Sequence, residues 1–175
     1  MKLFLVRHAW PQRDSRTPPE TWPLSETGRQ QAKRVPLPWE EIDVVVSSPE
    51  PKALETARLA SGREPTHDED FREVERPWTA GYADALREYF EGREPRGWES
   101  RSIAVSRGLD AIGRHATGRA LAIFSHATLL TLMVAEIERT TPTFDRWLDV
   151  GYAEWCEIEW PRGSVLRPFT RPKNA

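Results

Sequence analysis

Two of the four histidines in this 175-residue chain directly follow apolar runs, His8 in LFLVRH and His126 in LAIFSH. A neutral imidazole is a competent nucleophile and proton carrier near neutral pH. Arg7 stands beside the first histidine and Ser125 beside the second. A third apolar run, IDVVVSS, ends in Ser47-Ser48 and delivers Lys52 soon afterwards. Arginine, lysine, imidazoles and the free amides of a helix start are the groups that hold phosphate. Lys52 read by itself is equally a solvated side chain satisfied by Glu55 or Glu26. Among the remaining candidates, His67 in THDED reads as surface, His115 as a helix terminator and Cys156 as a packed strand residue. Glu73 and Glu75 in DFREVERPW are both available as acids, and the surrounding charge does not choose between them.

The elements that must bring these groups together follow from periodicity. Leu3 to Val6, Ile42 to Val46 and Ala120 to Phe124 read as buried strands. Ser25 is a helix cap with Glu26 in the first turn, and prolines at 36 and 38 end that segment. Pro49 suits the first position of a helix that packs through Ala53, Leu54, Ala57 and Ala60. DALREYFEG is the clearest helical piece of the polar stretch from Ser61 to Gly97. Ser102 to His115 forms a rough helical pattern with Gly108 inside it, and ATLLTLMVAEI an apolar one. AEWCEIEW and SVLRPF read as strands joined by a PRG turn. Strands alternating with helices predict an α/β, three-layer α/β/α sandwich whose central sheet is mostly parallel, with a short polar and helical lid insertion. In such sheets ligands bind beyond the carboxyl ends of the strands, where His8, Ser48 and His126 would meet.

The length suits one domain spanning residues 1–175. Lysine plus arginine number 25 against 27 acids, a formal charge of -2, so no global field favours nucleic acid or an anionic membrane. No apolar stretch approaches the ~20 residues that cross a bilayer, and a cytoplasmic location is expected. One cysteine excludes an intrachain disulfide framework and a cysteine-cluster zinc site. An exposed strand edge at AEWCEIEW would allow a homodimer, and an internal hairpin accounts for that strand as well.

The series LFLVRHA, PLSETGRQQA, SSPEPKALETA, WES and FSHA, in this order and spacing, resembles the histidine phosphatase superfamily, in its phosphoglycerate mutase-like branch. The resemblance implies that His8 takes up a phosphoryl group, Arg7 holds its oxygens and His126 stabilises the developing charge. It further implies that Glu73 protonates the leaving oxygen and then activates water. Lys52 stands at the family's second phosphate-binding arginine, and Ala9 and Ala127 stand where glycines are usual. Phosphate would thus be held by Arg7, His8, Lys52, His126 and Ala127, and the substrate pocket lined by Trp10, Asp14, Trp78 and Tyr82. The reaction implied is metal- and cofactor-independent hydrolysis of a small phosphorylated metabolite. The alternatives are a catalytically weak phosphate-binding or regulatory domain, and a mutase-type phosphotransferase.

Overall fold

The computed structural model describes residues 1–77 and 81–171. In chain order the elements are β1 (Lys2–Arg7), α1 (Glu26–Ala32), β2 (Val44–Ser47), α2 (Pro51–Ser61), β3 (Thr66–His67) and α3 (Tyr82–Phe90). There follow α4 (Arg101–His115), β4 (Ala120–Ser125), α5 (Ala127–Glu138), α6 (Phe144–Asp149), β5 (Trp155–Glu159) and β6 (Ser164–Arg167). One six-stranded sheet has the order β3-β2-β4-β1-β5-β6. The pairings β3-β2, β2-β4 and β4-β1 are parallel, while β5 and β6 add an antiparallel hairpin to the far side of β1. The sheet is therefore mixed, with its parallel part lying where the strand-helix alternation predicts it.

Side chains of β1 alternate across the sheet, as the two-residue strand period demands. Leu3 and Leu5 join Leu121 and Ile123 in a core beneath α4 and α5, whereas Phe4 and Val6 join Ala122 and Phe124 opposite α2. Helix α5 is buried along almost its whole first two turns and beyond, which its unbroken apolar composition requires.

Local signals explain most boundaries. Ser25 Oγ accepts the Gly28 N–H at 3.0 Å and starts α1. Gly28 is needed for a second reason: a Cβ there would lie 2.1 Å from the Trp10 carbonyl oxygen. Helix α2 begins at Pro51, two residues later than expected, because Glu50 is extended and serves as its N-cap. A residue preceding proline is driven out of the helical region, and the Pro-Glu-Pro sequence therefore delays the helix. Strand β2 starts at Val44, with Ile42 buried just before it. Helix α6 and the two-residue β3 carry no periodic signal long enough to predict them.

Candidate active site

The parallel order β2-β4-β1 sets three carboxyl ends side by side. The ladder continues one step past the strands: His8 N–H donates to the Ser125 carbonyl at 2.9 Å, and Ser48 N–H to that of Phe124 at 2.8 Å. Backbone register alone thus places His8, Ser48 and His126 together, and the two imidazole centroids are 5.1 Å apart. A cavity of about 640 Å³ opens above them and is lined by Arg7, His8, Lys52, Glu73, Tyr82 and His126, among others. A second hollow, about 720 Å³, lies at the amino ends of the strands around Lys2, Glu41 and Arg119. Lys2 and Glu41 pair there at 2.8 Å, and no imidazole faces it, so the chemistry lies at the other end.

His8 donates from Nδ1 to the Ala9 carbonyl at 2.7 Å, which leaves the lone pair on Nε2. Burial pushes its pKa well below the usual imidazole range, and His126, Arg7 and Lys52 push the same way. The ring is therefore neutral at pH 7. Arg7 donates from Nη1 to the Val150 carbonyl at 2.6 Å and stacks on Tyr152 at 3.8 Å. Among the described residues its buried Nε–H has no partner, an arrangement that costs about 1–3 kcal/mol unless an acceptor enters the pocket. Ala9 N–H donates to Thr56 Oγ1, and Ala9 packs with Leu24 and Ala32 away from the cavity. The methyl group in place of glycine is absorbed by that small apolar cluster.

Glu73 is held at the amino end of α5. Its Oε1 accepts the N–H groups of Val74 at 2.9 Å and Leu129 at 3.1 Å, and Oε2 that of Thr128 at 3.3 Å. Burial raises its carboxyl pKa, but Arg76, His126 and the Val74 amide outweigh that, and the net position is below the ordinary carboxylate value. The first amides of α5 thus serve Glu73, with Ala127 at the cavity wall. Glu75 also reaches the cavity lining, but its side chain is 78% exposed against 17% for Glu73, so burial beside His126 distinguishes Glu73.

The loop carrying Glu73 is gripped from outside the cavity. Buried Arg107 of α4 donates to the carbonyls of Asp70, Arg72 and Glu73 and pairs with Glu99 at 2.7 Å. Glu99 in turn accepts the Glu75 N–H, and the neighbouring Ser100 caps α4. The WES block is therefore a structural clamp on the loop.

Lys52 is buried within the cavity lining. Neither Glu55 nor Glu26 satisfies it; Nζ donates to the Pro19 carbonyl at 2.7 Å and to Glu50 Oε2. Glu50 has no counterpart in the sequence-based expectation. His126 Nε2 and Ser48 Oγ are hydrogen-bonded at 2.8 Å, with Glu50 Oε1 also 3.2 Å from that nitrogen. Tyr152, Arg13 and Arg76 complete parts of the wall. Trp10 packs against Tyr152 at 4.6 Å and supports the wall from behind, while Asp14 turns to Arg16 at 2.9 Å. Trp78 lies outside the described residues. His67 is exposed, His115 closes α4 against Asp68 at 2.8 Å, and Cys156 is buried in β5.

The family model for the histidine phosphatase superfamily, branch 1, matches residues 3–166. The chain belongs to that family. Its fold is shared by the YhfR protein of Bacillus stearothermophilus, with 23% identity, TM-score 0.73, and 95% and 94% of the two chains covered. A mycobacterial glucosyl-3-phosphoglycerate phosphatase gives 19% identity, TM-score 0.72, and 97% and 98% coverage. A histidine-to-alanine mutant of Entamoeba histolytica phosphoserine phosphatase, solved with phosphoserine, gives 17%, 0.71, and 96% of each chain. No curated protein matches the chain in sequence. Among the described residues no helix is long and apolar enough to cross a membrane.

Proposed function

We propose that this histidine phosphatase hydrolyses a small phosphorylated metabolite through a phosphohistidine on His8. One observation carries the reading: the His8 ring is fixed through Nδ1 beside the unpaired Nε–H of buried Arg7. A phosphoryl oxygen on Arg7 would bring phosphorus within reach of Nε2. In the first half-reaction the N–P bond forms as the P–O bond to the leaving group breaks, and that oxygen takes a proton from Glu73. In the second, Glu73 accepts a proton from water as the O–P bond forms and the N–P bond breaks. Glu73 by itself is ionised. An arriving phosphate dianion raises its pKa by like-charge repulsion, so Glu73 takes up a proton from solvent as the substrate binds. Arg7 and His126 face the equatorial oxygens, where positioning and electrostatics supply most of the acceleration. Two of the relatives named above act on small phosphorylated metabolites by their names, which supports the substrate class.

Incubation of purified protein with a panel of phosphate esters between pH 5 and 8 checks this reading. Phosphate release and an acid-labile phosphoprotein are expected, with both lost in His8→Ala by about three orders of magnitude or more. Retention of turnover in that variant would remove His8 as nucleophile. The pairing of Lys52 with Glu50 favours a second reading, a phosphate-binding domain with weak or no turnover. Ligand binding without phosphoryl transfer would select it.

A further inference from the structure

Glu50 places a carboxylate where phosphate is to be held. Its Oε2 accepts from Lys52 Nζ, and its Oε1 accepts the Glu73 N–H at 2.9 Å and lies 3.2 Å from His126 Nε2. An ammonium and a backbone amide donate to its two oxygens, with the His126 ring beside them, and form an anion site already filled. Pro49 and Pro51 bracket Glu50 and hold it extended, with only about a tenth of its side chain exposed. Its side chain accepts no capping bond from the backbone amides of α2. The side chain is therefore committed to the pocket.

Resting on the phosphatase reading above, we infer that Glu50 is an internal competitor of phosphate and sets how weakly the site holds it. A phosphoryl oxygen that bonds to Lys52 must take or share the ammonium that Glu50 Oε2 occupies. The inner groups Arg7, Lys52, Glu50 and Glu73 carry two positive and two negative charges around neutral imidazoles. Arg13, Arg72 and Arg76 against Glu20 and Glu75 leave the whole lining with one net positive formal charge, which Glu50 keeps from being two, so product leaves more readily. Glu50 touches both His126 and Lys52, so it tunes binding through the groups that face the substrate.

Titration calorimetry with sulfate tests this, because sulfate is tetrahedral and remains dianionic from pH 5 to 8. Glu50→Gln keeps the shape and an acceptor oxygen while removing one negative charge. Removing that charge within a few ångströms of a dianion tightens sulfate binding by about tenfold or more, and KM for the best ester falls with it. Equal or weaker binding by a folded Glu50→Gln protein overturns the inference while phosphohistidine formation in the unaltered chain leaves the phosphatase reading standing. Glu50→Ala, which opens the same donors to the cavity, is the second variant. If neither variant folds, the carboxylate holds the fold rather than tuning the site, and the inference fails. Absence of both sulfate binding and phosphohistidine in the unaltered protein removes the phosphatase reading itself, and this inference with it.

Discussion

At the scale of single residues, the two buried imidazoles make opposite demands on pH. Burial is the largest force holding both His8 and His126 neutral, and neighbouring cations reinforce it. In the proposed reaction neutrality would keep His8 nucleophilic below the ordinary imidazole range, so kcat/KM is expected to persist at pH 6, where a free imidazole is mostly protonated. Stability runs the other way. An unfolded histidine takes a proton near pH 6.5, whereas these folded ones do so only at much lower pH. Below about 6.5 the unfolded state binds more protons, so their contribution is complete above that value and drains as pH falls. Thermal melts at pH 7.5 and 5.0 should show a lower Tm in acid, with a smaller difference for His126→Gln. Equal differences in both proteins would locate acid sensitivity elsewhere. Residue types named this pair from sequence because an apolar strand ending in histidine is a local pattern. Glu50 escaped, although an acid between two prolines just before a buried lysine was visible, because its orientation depends on where α2 begins.

At the scale of elements, α4 supports a reaction in which none of its side chains is assigned a chemical role. Arg107 and Glu99 have side-chain exposures of 8% and 5%, so neither is a solvated surface pair. Arg107→Met would leave buried Glu99 with only Arg72 at 3.5 Å as a cationic partner and release the carbonyls of Asp70, Arg72 and Glu73. Breaking a buried pair this way costs about 3 kcal/mol, read as a shift in the urea midpoint. The loss of activity should exceed that expected from unfolding alone, because the folded fraction also carries a displaced Glu73. Arg107→Lys should recover part of the stability, and full activity in a folded Arg107→Met protein would dismiss the positioning role. The helix itself was legible from its pattern, but the buried arginine within it was not. A charge on an amphipathic stretch reads as solvent-facing until its carbonyl partners, more than thirty residues away, are known.

For the whole molecule, strand-helix alternation revealed the layers, and the parallel register then dictated the meeting of positions 8, 48 and 126. Tyr152 could not be found this way, because it stacks on Arg7 from a loop after the unpredicted α6. Cooperative closure of the sheet has its own test. Cys156 pairs with Leu5 across β1 and β5, is fully buried, and has its thiol pushed up to about 12 by burial. A thiol reagent at pH 8 should label it only through opening of this central strand pair, at a rate matching the slowest amide exchange. Rapid labelling without denaturant would mean that β5 opens independently. The Arg107 grip also divides the insertion into a fixed footing and a replaceable canopy. Because three of its bonds go to main-chain oxygens, the footing is indifferent to the side chains at 70, 72 and 73 in those contacts. Side chains beyond Glu75 can therefore change, and in the proposed reaction the choice of leaving group with them, while Glu73 stays moored.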